Sequence, residues 1–146
     1  MYKYRNFDLF QSIQKKQILT PVFLDSVSAG FPSPATDYME SKLDLNEYLI
    51  KHPAATFIVK AKGSSMIDVG ILSEDLLIVD RSIIPKNNDI VIASIFGDLT
   101  VKRFQKKENS LFLLSANSDY PSIQVKEEME CFIWGAVTYI IHESNS

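Results

Sequence analysis

The sequence predicts a mainly β protein, in which strands fold over one another into a barrel-like body preceded by an extended N-terminal arm and one short helix. Three observations indicate this class. From Ala55 onward, short apolar runs alternate with turn residues, as in all-β folds. Before that point, Pro21, Gly30, Pro32 and Pro34 interrupt an apolar segment and favour an extended, irregular backbone. A single short helical pattern lies between the two parts.

Length and composition fit one globular domain with a real core. The chain has 146 residues, of which 46% are hydrophobic and 23% charged, with a net charge of −3. A negative net charge argues against strong, sequence-independent DNA binding, which requires a basic surface. The basic cluster of Lys102, Arg103, Lys106 and Lys107 allows two interpretations, a phosphate-binding patch or the solvated ends of a hairpin.

The single cysteine, Cys131, can form neither an internal disulfide nor a thiolate metal site by itself. Its apolar surroundings, "ECFIWGAV", favour an inert core thiol. The absence of disulfides fits a reducing compartment, so we expect a cytoplasmic protein. We expect no secretory leader and no membrane span, because the N-terminal residues lack an apolar run and no apolar run is long enough to cross a membrane. We expect no metal and no other cofactor.

The chain divides into two predicted parts, an arm over residues 1–43 and a β-rich domain over residues 44–146. The arm carries apolar side chains that require a surface, so we expect a mobile arm that can dock. At the start of the second part, Asp44 and Glu47 have the spacing of a helix capping box. The pair His52-Pro53 ends the short helix that follows.

The strands of the β-rich domain are separated by turn residues. They are predicted within "TFIVKAK", "DLLIVD", "DIVIASIF", "LTVKRF", "SLFLLSA", "SIQVK" and "CFIWGAVTYII". Gly97-Asp98 reads as a two-residue hairpin loop, which places Ala93 opposite Lys102. Because side chains alternate along a strand, Lys102 then shares one face with Val91, Ala93, Ile95 and Phe104.

The stretch "VKAKGSSMID" ends a strand in a sharp bend that contains Ser64 and Ser65. A serine hydroxyl becomes a nucleophile only when a base removes its proton. Of the two histidines, His52 precedes a proline at a helix end and His142 lies near the C-terminus, and neither setting suggests a base.

Lysine is the other candidate base. If the apolar face around Lys102 is covered, burial disfavours the charged amine and makes it a base near neutral pH. Two ordinary structural interpretations remain open. Lys102 can extend its charge into solvent at a sheet edge, and small hydroxyls are common in turns.

Three ordered signals resemble the UmuD-type proteins of the LexA-like self-cleaving serine peptidases (peptidase S24), and the resemblance extends from about Thr20 to the C-terminus. The first is Gly-x-Ser-Met followed by Ile-Asp, in "KGSSMID", which implies that Ser65 is the nucleophile. The second is "TVKR", which implies that Lys102 is the general base. The third is a small residue before glycine in "VSAGFPSP", which implies self-cleavage between Ala29 and Gly30. The longer stretches that carry the resemblance are "GFPSPATDYMESKLDLNEYLIKHPAATFIVKAKGSSMIDVGILSEDLLIVD", "DIVIASIFGDLTVKRF" and "FIWGAVTYII".

The resemblance also implies a LexA/signal-peptidase-like fold and an oxyanion hole formed by the backbone N–H groups of Ser64 and Ser65. Two residues depart from the family pattern. Ser64 stands where an acidic residue is frequent, and Val69 stands where a small residue is usual. Neither supplies the base or the nucleophile, so we expect an altered rate of cleavage and not a loss of activity.

The implied function is that of an SOS-response mutagenesis factor. Such a protein forms a homodimer, and a RecA filament on single-stranded DNA stimulates its cleavage. The trimmed form is then an accessory subunit of an error-prone, UmuC-like translesion polymerase.

Other functional classes are less well matched. A repressor is not expected, because residues 1–29 are too few for a helix-turn-helix domain. A signal peptidase would require an apolar N-terminal helix as anchor. A non-catalytic interaction module with the same fold stays the alternative.

Overall fold

The structure is a computed structural model that describes residues 16–23, 27, 29–32 and 40–144. The chain forms two compact units, Met1–Tyr48 and Leu49–Ser146. The division predicted after residue 43 stays a prediction. The elements of the described residues are β1 Thr20–Phe23, β2 Glu40–Leu43, α1 Leu45–Leu49, β3 Thr56–Lys60, β4 Leu76–Asp80, β5 Ile90–Ile95, β6 Asp98–Lys107, β7 Ser110–Leu114, β8 Ile123–Gln124 and β9 Phe132–Ile141. None of the helices among them is both long and apolar enough to cross a membrane.

The N-terminal unit contains a strand pair in the segment that the prolines predicted to be irregular. Strands β1 and β2 are antiparallel, and Pro21 lies opposite Lys42. Proline is tolerated here because each strand of a two-stranded sheet has one unpaired edge. After β2, the Asp44 side chain accepts a 2.9 Å hydrogen bond from the N–H of Asn46, which caps the start of α1. The capping box between Asp44 and Glu47 stays a prediction.

The second unit is built on one seven-stranded sheet with the order β3-β4-β9-β5-β6-β7-β8. All neighbouring strands are antiparallel. The sheet has two edges, β3 and β8, and is therefore not closed into a barrel. The prediction of a mainly β fold is confirmed.

Strand β5 is buried on both faces, and it divides the hydrophobic core into two clusters. Ile92 belongs to the first cluster, together with Ala61, Met66, Ile71, Leu77, Val79 and Ala116. Val91 and Ala93 belong to the second cluster, together with Leu113. Successive side chains of a strand lie on opposite faces, which is why one strand supplies both clusters. The thiol of Cys131 packs half-buried against the second cluster, and burial raises its pKa.

The hairpin between β5 and β6 turns one residue earlier than predicted. Its loop is Phe96–Gly97 and not Gly97–Asp98, because Ile95 pairs with Asp98. Both loop residues have positive φ, 51° and 84°, the combination that suits the twist of a two-residue hairpin. Lys102 therefore lies opposite Val91 and not Ala93. The shift changes the partner by two positions, so Lys102 keeps the predicted face.

The basic cluster on β6 does not form one surface. Lys102 is buried and Arg103 half-buried, whereas Lys106 and Lys107 are exposed. Lys107 pairs with Ser110 at the end of a hairpin, which agrees with the solvated-hairpin interpretation.

Leu77 and Leu76 offer a matched test of this core, because they are neighbours on β4 with very different burial. Leu77 is 0% exposed and Leu76 is 37% exposed. We expect Leu77→Ala to lower the free energy of unfolding by about 2–5 kcal/mol, through lost burial and a cavity. Leu76→Ala should cost less than about 1 kcal/mol. Urea unfolding measures both, and equal losses would contradict the assigned burial.

Candidate active site

The serine bend, residues 63–66, connects β3 to a short 3₁₀ turn at Ile67–Val69. Gly63 has a φ of 87°, a left-handed conformation that glycine adopts without strain. Met66 is 3% exposed and anchors the bend in the first core cluster. Ser65 is half-buried beside this anchor, so its hydroxyl lies at the margin of the core.

The residues that follow β7, here called the 115–121 segment, hold the backbone of the serine bend. The N–H of Ala116 donates to the carbonyl of Ser65 at 2.8 Å, and the Asn117 side-chain amide donates to the carbonyl of Ser64 at 2.8 Å. The Asn117 oxygen accepts from the N–H of Asp119 at 3.0 Å, so the amide nitrogen faces the bend. Two consecutive carbonyls of the bend are thereby fixed.

These bonds also determine where an N–H group of the bend is directed. In a trans peptide, a carbonyl and the next N–H point in opposite directions. The bond from Asn117 to the Ser64 carbonyl therefore orients the N–H of Ser65. Within the described residues, the N–H groups of Ser64 and Ser65 donate to no protein acceptor. Unpaired, oriented donors are what an oxyanion hole requires.

Lys102 lies in the middle of β6 and is 8% exposed. Burial lowers the pKa of its amine. The described residues offer it no carboxylate at ion-pair distance. Its amine donates to the hydroxyl of Ser115 at 2.7 Å. The site therefore favours the neutral amine more than water does.

The 115–121 segment contacts both halves of the predicted site. Ser115 bonds to Lys102, and the next residue, Ala116, bonds to Ser65. Among the described residues, no hydrogen bond joins the Ser65 hydroxyl to the Lys102 amine. Ala29 and Gly30 belong to the N-terminal unit, where both are exposed in a bend. The assignment of these four residues to a cleavage reaction stays a prediction.

Sequence reasoning missed the 115–121 segment. A signal for Ser115 exists in the β6–β7 hairpin, whose register pairs Arg103 with Leu114. One further step along that register places Ser115 opposite Lys102. No comparable signal identifies Ala116, because it acts through its backbone.

A groove of about 270 Å³ lies beside Ser65. One wall is the end of β3 and the residues after it, and the other is the start of β6. Its lining residues are Val59, Lys60, Ala61, Lys62, Gly63, Ser65, Met66, Ile71, Ile92, Leu99, Thr100 and Val101. The apolar and small side chains in this set suit a short apolar stretch of polypeptide.

Each of the two histidines pairs with a buried aspartate and not with Ser65. The Nδ1 atom of His52 lies 2.6 Å from Asp80, and that of His142 lies 2.7 Å from Asp75. Ser82 also bonds to Asp80, at 2.6 Å. The Ser82 hydroxyl and the His52 imidazole thus both bind the Asp80 carboxylate. In a serine peptidase, the nucleophile and its base must instead bind each other.

Metal binding has no candidate cluster in the part of the chain that the structure describes. Three or more His, Cys, Asp or Glu side chains do not come together there in a set able to hold a metal ion.

The chain matches the family described as Peptidase S24-like over residues 21–138. It is 48% identical to protein SamA of Salmonella typhimurium over 130 residues, which cover 89% of this chain and 90% of SamA. It is 47% identical to protein ImpA of Escherichia coli over 124 residues, which cover 85% of this chain and 84% of ImpA. It is 34% identical to the LexA repressor of Clostridium kluyveri over 125 residues, covering 86% of this chain and 62% of the repressor.

The protein therefore belongs to the Peptidase S24-like family of serine peptidases. Within that family it is a UmuD-type member, and the predicted recognition is confirmed.

The buried Asp80 gives the second unit a testable response to acid. Burial alone would raise the pKa of Asp80, but hydrogen bonds from Ser82 and His52 outweigh it and leave the pKa below the usual 3.8. A carboxylate with a lowered pKa contributes stability above its unfolded pKa, and this contribution is lost as pH falls through the native value. We expect Asp80→Asn to destabilise the protein at neutral pH and the difference from wild type to shrink below pH 3.8.

Urea unfolding at several pH values measures that difference. Ser82→Ala, which removes the hydroxyl that donates to Asp80, should show a smaller effect of the same sign. A difference between Asp80→Asn and wild type that grows on acidification would contradict the assigned direction.

Proposed function

We propose that this protein is a self-cleaving serine peptidase, in which Ser65 attacks the bond between Ala29 and Gly30 and Lys102 acts as general base. The observation that carries the proposal is the buried Lys102 amine, connected through Ser115 and Ala116 to the serine bend. The membership in the Peptidase S24-like family and the unpaired N–H groups of the bend support it.

The reaction begins when the neutral Lys102 amine takes the proton of the Ser65 hydroxyl. The Ser65 oxygen then bonds to the carbonyl carbon of Ala29, and the N–H groups of Ser64 and Ser65 stabilise the resulting oxyanion. Collapse of this intermediate breaks the bond to Gly30, whose nitrogen takes the proton from Lys102. Water then hydrolyses the acyl-enzyme, which releases residues 1–29 from the Ser65 oxygen and leaves residues 30–146 as the trimmed form.

Lys102 can serve as a general base because its burial shifts the equilibrium between the charged and the neutral amine toward the neutral form. An ammonium in water has a pKa far above neutral, at about 10.4. Desolvation lowers it, so a larger fraction of Lys102 is neutral at working pH. The proposal of Ala29 as the acyl donor rests on size, since a methyl side chain suits a groove lined partly by Ala61 and Gly63.

We further propose that the protein acts in SOS mutagenesis in the cytoplasm. Its match covers most of the length of SamA and ImpA, and this supports a UmuD-type role over that of a repressor. We infer a homodimer whose cleavage is stimulated by a RecA filament on single-stranded DNA. The trimmed form then serves a UmuC-like translesion polymerase. A net charge of −3 fits protein partners better than direct DNA binding.

One observation favours a second candidate, a non-catalytic interaction module. Within the described residues the Ser65 hydroxyl makes no hydrogen bond to the Lys102 amine. Hydrogen bonds of an active site are often long before the reacting complex forms, so a missing bond is compatible with both a peptidase and an interaction module. Self-cleavage does discriminate, because the module would not cut itself.

Incubation of the purified protein without added protease tests the proposed chemistry. The rate of self-cleavage should rise with pH through the lowered pKa of Lys102, because the amine is a base only when neutral. Ser65→Ala and Lys102→Ala should each reduce the rate by more than about ten-thousandfold. Mass spectrometry should identify residues 30–146 as the product.

His52→Ala and His142→Ala are the matched controls, since they remove the alternative bases. Both should retain self-cleavage wherever the variant is folded. A Ser65→Ala protein that still cuts itself would assign the nucleophile elsewhere, and a wild type that never cuts would favour the interaction module.

Substitutions at the scissile bond test the position of the cut. Ala29→Lys should block cleavage, because a long charged side chain would replace a methyl group beside Ser65. Gly30→Glu should block it by obstructing the groove beside Ser65. Gel electrophoresis of the incubated variants measures the effect.

Ala35→Lys is the control, since it makes the same change elsewhere in the N-terminal unit and should leave the rate within about threefold of wild type. Normal processing of Ala29→Lys would place the scissile bond at another position.

A further inference from the structure

We propose that Ser115 is a positioning residue for Lys102, holding the amine by accepting its hydrogen bond while leaving the lone pair of the neutral amine free to take a proton. This inference deepens the proposed function and rests on it. It begins from a hydroxyl that sequence reasoning did not identify.

The register of the β6–β7 hairpin brings the two residues together. Arg103 pairs with Leu114, and the next position along the same register places Lys102 opposite Ser115, just beyond the end of β7. The Lys102 nitrogen and the Ser115 oxygen are 2.7 Å apart. The contact is therefore built into the sheet and does not depend on a flexible surface side chain.

The proton of the Ser115 hydroxyl has its own acceptor. The hydroxyl donates to the carbonyl of Pro121 at 3.3 Å. A carbonyl can only accept, so the oxygen of Ser115 faces Lys102 as an acceptor. A neutral amine has two N–H groups and one lone pair, and donation to Ser115 uses only an N–H. If Ser115 instead gave its proton to the amine, it would occupy the lone pair that the base requires.

Strand pairing places Lys102 on the face of an apolar core cluster. Val91 of β5 and Leu113 of β7 belong to the core cluster on its face. The Cys131 thiol packs against that cluster, and burial raises its pKa, so it is neutral near pH 7. On its own strand, Arg103 lies on the opposite face. In the 115–121 segment, Asp119 is exposed and forms no ion pair with Lys102.

The Ser115 oxygen is thus the side-chain hydrogen-bond partner that the described residues provide for this amine. An oxygen acceptor binds an ammonium more strongly than it binds a neutral amine. Ser115 therefore stabilises the charged form and partly offsets the effect of burial on the pKa of Lys102. Its removal should have two separate consequences, a less well-placed base and a lower pKa.

The test compares the pH profile of self-cleavage in wild type and in Ser115→Ala. We expect the plateau rate to fall by about tenfold to a hundredfold, because the base is no longer held in place. The midpoint of the profile should move to lower pH. Ser115→Thr keeps the hydroxyl and should keep the midpoint. Ser118→Ala, an exposed serine in the same segment, should behave as wild type.

A structural role alone would slow the reaction without moving the midpoint. If the midpoint of the Ser115→Ala profile is unchanged, the proposal is overturned, whatever the plateau rate. A plateau rate equal to that of wild type would also overturn it.

A second measurement separates this inference from the proposed function. NMR titration of isotope-labelled lysine in a Ser65→Ala background reads the pKa of Lys102 without any cleavage. We expect Ser115→Ala to lower that pKa, and no change would overturn the positioning role. A lowered pKa in a protein whose wild type does not cut itself would retain the link between Ser115 and Lys102 and reject the peptidase proposal.

Discussion

The removal of the Lys102 amine from water is the constraint on which the site depends. An ammonium loses much of its hydration when it is buried, and the loss is tolerable only if the group can become neutral or find partners. Within the described residues, the Lys102 amine has the Ser115 hydroxyl as its oxygen acceptor, and β5 and β7 form an apolar wall on its face. A lysine at an exposed edge of the same sheet would keep its proton near neutral pH and could not act as a base.

The fold supplies this burial by covering β5 on both faces. Ile92 packs into one cluster, and Val91 and Ala93 pack into the other. Since Lys102 lies opposite Val91, it is brought into the second cluster by strand pairing alone. The serine bend is anchored in the first cluster by Met66. The two parts of the proposed site therefore belong to different core clusters, and the 115–121 segment forms hydrogen bonds to both.

Some of this arrangement could be predicted from the sequence, and the reason differs from one feature to the next. The face of Lys102 follows from the alternation of side chains along a strand. The predicted loop was misplaced by one residue, which changed the strand partner of Lys102 by two positions and therefore kept the same face. The pairing of β1 with β2 was not predicted, because the prolines indicated an irregular backbone and the pairing partner lies beyond an intervening segment.

Interactions that act through the backbone, or between residues far apart in the chain, could not be predicted from the sequence either. Ala116 holds Ser65 through its N–H, and any residue except proline carries that group. The positions of His52 near a helix end and of His142 near the chain end give no indication of a partner for either side chain. Their partners, Asp80 and Asp75, lie 28 and 67 residues away in the chain. Alternation and spacing within one strand contain no information on such pairs.

Ser64 provides a further contact between the serine bend and the 115–121 segment. A carboxylate at this position would add negative charge beside the N–H groups proposed to bind an oxyanion. The Ser64 hydroxyl is neutral and lies 3.2 Å from the hydroxyl of Tyr120. The repulsion between two negative charges grows as the distance between them falls. A neutral side chain at position 64 therefore does not destabilise a neighbouring oxyanion. The bend is instead tied to the 115–121 segment at a third point, in addition to Ala116 and Asn117. Because Ser115 of the same segment holds Lys102, any displacement of this segment would move the base and the bend together.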